Sequence, residues 1–145
     1  MKNLWNKGME IYKKYKTQIL YLIFGGLTTL VNWIVYFSLT RGFGLEEMLT
    51  NVIAWAAAVL FAFLTNRTLV FNASVAGVKA FIFQMIMFFA GRLVTLGLEE
   101  AIMWLLYVKL GINDIIVKVI AAIVVVVTNY FISKLVVFRK KEKTK

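Results

Sequence analysis

The sequence predicts an all-α integral membrane protein with four transmembrane helices, arranged as two tandem two-helix hairpins with both termini in the cytoplasm. Four observations carry that expectation. The 145 residues are 61% hydrophobic with a mean hydropathy of +0.81, which leaves too little polar surface to cover a water-soluble globule. The apolar residues fall into four runs, each near the roughly 20 residues that cross a hydrocarbon layer. The charges divide by loop, and an internal match relates the two halves of the chain.

Residues 1–18 form a basic amphipathic segment. Leu4, Trp5, Gly8, Met9, Ile11, Tyr12 and Tyr15 gather on one side of a helix, with Lys7, Lys13 and Lys14 elsewhere around it. Such a helix lies in the headgroup region with its lysines toward anionic lipid; a frayed basic tail that only sets topology is the other reading of the same residues. The membrane domain is expected over 19–138, with repeats at about 19–71 and 80–138, followed by a basic tail at 139–145.

The first run, Ile19 to Thr40, lacks a small-x-small cleavage site and is too long for a signal-peptide core, so it is expected to be retained. The second, Leu49 to Leu64, reaches Phe71 if Asn66 and Arg67 are included. It carries Ala54, Ala58 and Ala62 at helical spacing, a stripe that lets a neighbouring backbone approach, and Asn66 continues it toward the bundle interior. The third, Ala80 to about Tyr107, exceeds the layer's thickness, which predicts tilt or outer turns among the headgroups. The fourth is Ile112 to Phe138. Pro is absent, so nothing in the sequence forces a kink.

The 17 Lys and Arg against 7 Asp and Glu give +10, which in a soluble chain would suggest nucleic acid. Placement argues against that partner. Lys2, Lys7, Lys13, Lys14 and Lys16 precede the first run, Arg67 and Lys79 flank the middle loop, and Lys134, Arg139, Lys140, Lys141, Lys143 and Lys145 close the chain. The other two loops carry Arg41 with Glu46 and Glu47, and Lys109 with Asp114, so the positive-inside rule places the termini and middle loop in the cytoplasm of a multi-pass cell-membrane protein. Cys and His are absent, which removes Cys/His metal sites, thiol nucleophiles and imidazole chemistry. No metal or cofactor is expected, and no nucleophile-base pair suggests an enzyme.

Sliding the second half over the first by 67 residues matches Gly44, Val52, Ile53, Ala54, Val59, Val70 and Phe71 to Gly111, Val119, Ile120, Ala121, Val126, Val137 and Phe138, and sets Arg67 against Lys134. Upstream, Phe24-Gly25-Gly26 meets Phe89-Ala90-Gly91 at an offset of 65. Each copy holds an even number of spans, so both copies insert the same way about a pseudo-two-fold along the membrane normal.

Ionisable residues inside spans are costly and by default face the interior or a wet cavity. Arg92 follows Lys79 by 13 residues, about 20 Å along a helix, and belongs to a stripe with Gln84, Phe88, Thr95 and Glu99. Lys118 and Asn129, three turns apart, share a face of the fourth run. Embedded cations suit an anionic lipid phosphate. The structural reading stays open beside this one: Glu99 or Glu100 would act as counter-charge to Arg92 or Lys118, and Arg67 and Lys134 would anchor helix ends.

Phe63-Leu64-Thr65-Asn66-Arg67-Thr68-Leu69-Val70-Phe71 resembles the N-R-x-x-V-F signature of the GtrA-like family. Phe24-Gly25-Gly26, Phe88, Arg92, Lys118 and Asn129-Tyr130 through Ser133-Lys134 to Val137-Phe138 are also similar to that family's pattern, over roughly Leu20 to Phe138. The resemblance implies a part in glycosylation of cell-surface polysaccharide or teichoic acid, by moving a polyprenyl-phosphate-linked sugar across the membrane. It implies Arg92 and Lys118 on the phosphate, with Asn66, Asn129 and Arg67 on phosphate or sugar and Val70, Phe71 and Phe88 in support. Expected partners are that lipid, surrounding membrane lipid, a separate polyprenyl-phosphate glycosyltransferase and a polymer glycosyltransferase; a bundle this small could also form a homo-oligomer. A non-transporting scaffold for glycosyltransferases and a small cation or drug exporter using Glu99 or Glu100 are the alternatives.

Overall fold

The computed structural model describes residues 1–74 and 77–139, and every element in them is helical. Lys140, Lys141, Lys143 and Lys145 of the expected basic tail lie outside the described residues. Four helices are long and apolar enough to cross a membrane: α1 (Lys2–Gly42), α2 (Glu47–Val70), α3 (Val78–Lys109) and α4 (Asp114–Val137). The chain divides into two compact units, Met1–Asn72 and Ala73–Lys145.

In the first unit, α1 runs as α-helix over Lys2–Phe37 and is broken at Tyr15 (φ −110°, ψ 21°). The missing proline therefore did not guarantee a straight helix. α1 presents most of its apolar side chains outward, Leu22, Ile23, Trp33 and Ile34 among them, and buries only Tyr21. α2 is the packed member. Ala54, Ala58 and Ala62 are buried at four-residue spacing, together with Thr50, Val59 and Phe63. α1 packs against α2, and the predicted stripe is buried, where small side chains permit close approach.

Backbone and hydroxyl groups inside an apolar helix have no water to bond, so they must be satisfied within the segment. The threonines do this by returning to the preceding turn: Thr28 Oγ1 donates to the Phe24 carbonyl (2.7 Å), Thr50 to Glu46 (2.8 Å) and Thr65 to Phe61 (2.9 Å). Each of the four helices also ends in a wide π-type turn, Ser38–Gly42, Asn66–Val70, Met103–Lys109 and Ser133–Val137. Here amides reach back five residues, as Phe71 N does to Asn66 O (2.9 Å) and Phe138 N to Ser133 O (2.8 Å).

The second unit pairs α3 with α4. The middle of α3 approaches α4 closely: a Cβ at Gly91 would stand 2.9 Å from Ile132 Cγ2. α4 opens with Asn113 as a side-chain cap, its Oδ1 accepting from Ile115 N (2.9 Å) and Ile116 N (3.4 Å).

Bounds in the second unit mirror those in the first. α2 and α4 each comprise 19 α-helical residues and a five-residue wide turn, with starts and ends 67 residues apart. Gly44 and Gly111 both take the left-handed conformation (φ +65° and +68°) that side chains resist, each turning the chain between helices. The following amides then reach back alike, Leu45 N to Leu39 O (3.1 Å) and Ile112 N to Leu106 O (2.9 Å). The wide turns closing α1 and α3 differ, five residues against seven. They begin 65 residues apart and end 67 apart, so the change of offset seen in the sequence falls inside them.

Candidate functional site

Asn66 is the first residue of the wide turn that ends α2, and only 3% of it is exposed. It arrives there because it extends the alanine stripe by one further turn. Its backbone carbonyl is taken by Phe71 N, while its side-chain Oδ1 is buried without a hydrogen-bond partner among the described residues. Arg67, next along, is half-buried. Val70 is buried, and the half-buried Phe71 sets its ring 6.3 Å from that of Tyr21 on α1. The signature's apolar residues thus fix the end of α2 against α1 and hold Asn66 inside.

In the second unit the predicted α3 stripe is real. Gln84, Phe88 and Thr95 are its buried members, and Arg92 and Glu99 are half-buried. Gln84 Nε2 donates to the Ala73 carbonyl (3.1 Å), tying the entry of α3 to the preceding chain. Phe88 is 2% exposed and packs on Phe138, with centroids 5.8 Å apart. The Arg92 guanidinium lies 4.8 Å from the Phe88 ring centre, where the ring's negative face partly offsets its charge. Among the described residues, neither Glu99 nor Glu100 approaches Arg92 or Lys118 within the 4.0 Å of an ion pair.

One turn beyond Arg92, the Thr95 hydroxyl lies 2.9 Å from Asn129 Oδ1 and 3.0 Å from the Arg92 carbonyl. Both are acceptors, so a single hydroxyl proton serves them. Asn129 is buried on the α4 face that also holds Val117 and Ala121. Thr95 appeared in the sequence as one member of a stripe. Its partner could not be read there, because the pairing depends on how α3 and α4 slide past each other.

Lys118 does not join that buried row. It is exposed, and it lines an open cavity of about 470 Å³ with Glu99, Asp114, Ile115, Val119 and Ala122. Asp114 was legible only as a loop charge; in the structure it occupies the first turn of α4 and its Oδ1 accepts from Ile115 N (2.9 Å). Glu100 is exposed and is not among the cavity residues. The second unit therefore brings Phe88, Arg92, Thr95 and Asn129 together at one level and Glu99, Asp114 and Lys118 at another.

Four helices of membrane-spanning length with polar groups buried between them define a multi-pass membrane protein. Its residues 20–138 match the model of the GtrA/DPMS transmembrane domain, and the chain belongs to that family. The chain is similar to the cell wall teichoic acid glycosylation protein GtcA of Listeria innocua (33% identical over 124 residues, 86% of each chain) and to that of Listeria monocytogenes (34% over 124 residues, again 86% of each). It is also similar to the uncharacterized membrane protein YwcD of Bacillus subtilis, at 31% over 86% of this chain and 98% of that one. No solved structure matches it.

Proposed function

We propose that this protein moves a polyprenyl-phosphate-linked sugar across the cytoplasmic membrane, for glycosylation of teichoic acid or another cell-surface polysaccharide. The observation that carries the reading is Arg92, a half-buried cation in the middle of an apolar helix, resting on Phe88 with no carboxylate in ion-pairing range among the described residues. Such a charge is retained inside a membrane at a cost, and a lipid phosphate that enters from the side would compensate it. The teichoic acid glycosylation named in the Listeria relatives supports the same reading.

In this mechanism no bond is made or broken. Arg92 grips phosphate oxygens through its planar fork, Lys118 offers a second cation at another level, and the prenyl chain stays among lipid tails. Asn66 takes part differently from a cation. Its bare Oδ1 is an acceptor, so it favours a sugar hydroxyl over a phosphate oxygen, which carries no proton to give. The two units act as copies inserted the same way, N-terminus and C-terminus inside, and headgroup transfer follows the rocking of one hairpin against the other. A separate polyprenyl-phosphate glycosyltransferase loads the lipid and a polymer glycosyltransferase consumes it.

The Thr95–Asn129 bond favours a second reading in which the buried polar groups only hold helices together and the protein is a scaffold for those transferases. The test is transbilayer movement of a polyprenyl-phosphate sugar in liposomes containing the purified protein, with Arg92→Ala and Glu99→Gln beside the wild type. Movement that depends on Arg92 supports translocation. Absence of movement with folded wild-type protein and intact lipid favours the scaffold.

A further inference from the structure

We infer that the helix over residues 2–14 lies along the membrane surface, held by anionic phospholipid in the leaflet from which α1 enters. The inference is independent of any transport activity, and it concerns a segment ahead of the family match, which begins at residue 20.

Length gives the first reason. As one straight rod the 36 α-helical residues Lys2–Phe37 would reach about 54 Å, far beyond the roughly 30 Å of a hydrocarbon core. The surplus is about the length of the segment before Tyr15. The backbone leaves helical geometry there, at ψ 21° where a helix needs about −42°, so the segment has a direction of its own.

Its surface gives the second. At 100° per residue, Leu4, Trp5, Ile11 and Tyr12 fall within an arc of about 120°, and they are 77%, 73%, 51% and 39% exposed. Around the rest of the wheel, Lys2 and Lys13 flank the arc on one side and Lys7 and Lys14 on the other, with Glu10 between the two pairs. A helix laid flat with this arc among the acyl boundary carries both lysine rows at phosphate depth. Trp5 and Tyr12, apolar rings with a polar edge, suit that same depth. Lys14 Nζ sits 5.3 Å from the Tyr15 ring, beside the bend. The occupant is therefore an anionic bilayer surface; a neutral one would engage the apolar arc and leave the lysine rows without a counterpart.

The chain contains no Cys, so single nitroxide labels can be placed directly on the full-length protein. Labels at Gly8→Cys, in the middle of the apolar arc with open space at its Cβ position, and at Asn6→Cys, on the opposite side of the helix, leave every lysine and every named arc residue in place. They are compared in vesicles of phosphatidylcholine with and without phosphatidylglycerol, with Thr29→Cys inside the span verifying insertion. With phosphatidylglycerol, the label at 8 is expected to meet oxygen dissolved in the acyl region and the label at 6 to meet a water-soluble nickel relaxant. Without it, or with Lys13→Gln and Lys14→Gln together, the inserted population should fall by on the order of fivefold per lysine lost. Equal access to the aqueous relaxant at both positions overturns the surface helix. A contrast between them that is unchanged by removing phosphatidylglycerol overturns the anionic assignment.

Discussion

Arg92 and Thr95 are neighbours on one face of α3 and face opposite chemical situations. The arginine has a ring beneath it and no carboxylate in reach among the described residues, whereas the threonine is closed by Asn129. Under the transport reading, Arg92→Ala is expected to abolish glycosylation of the surface polymer in cells with the protein still inserted, and Arg92→Lys to restore it only in part because the bidentate fork is lost. Polymer sugar content and membrane abundance, measured together, check both. Thr95→Val leaves the buried Asn129 carbonyl without a donor and should lower stability by about 1–3 kcal/mol, while Asn129→Leu added to it recovers much of the loss by removing the stranded group. Denaturation of the reconstituted single and double variants reads that coupling. Burial of Asn66 was legible, since an alanine stripe at four-residue spacing points to it directly. The Thr95–Asn129 pair and the exposure of Lys118 were not, because a helical wheel fixes angles around one helix and leaves its register against the next undetermined.

At the scale of the helix, length and apolarity sufficed to find all four spans, because a membrane asks little more of a helix than those two properties. Ends were harder to see. The wide turns have no sequence signature comparable to a proline or a capping box, and the break at Tyr15 stands at a residue that helices accept readily. Glycines of equal appearance also diverge once packed. Gly91 faces a β-branched side chain that cannot swing away, so Gly91→Ala should cost about 1–3 kcal/mol in overpacking, against about 1 kcal/mol gained in helix propensity. Gly25 has open space around its Cβ position, and Gly25→Ala should be neutral or mildly stabilising to the fold. Thermal denaturation in a single lipid or detergent separates the two.

For the molecule as a whole, the charge pattern carries the expected orientation, and the lack of Cys makes it directly testable. Single cysteines at Asn3, Phe43 and Asn72 are expected to react with an impermeant maleimide from the cytoplasmic, outer and cytoplasmic sides respectively; a label at Phe43 reached only from the cytoplasm would reverse the insertion. The correspondence between units reads further in the structure than in the sequence. Sequence identities between apolar helices are cheap to obtain by chance, but matching helix bounds, left-handed glycines and backbone bonds report geometry, which composition does not impose.

The two additional residues in the turn that closes α3 bear on how this chain can change length. After these turns the two units return to register, for the bonds Leu45 N to Leu39 O and Ile112 N to Leu106 O are equivalent and lie 67 residues apart. Removing two residues within 103–109 should therefore leave α4 meeting α3 as before, with Asn129 still opposite Thr95. The same deletion within 114–128 would rotate all that precedes or follows it by about 200° and carry Asn129 away from its partner. The end of α3 is thus the place where a two-residue change in length is expected to leave the Thr95–Asn129 coupling intact, as denaturation of the shortened protein would show.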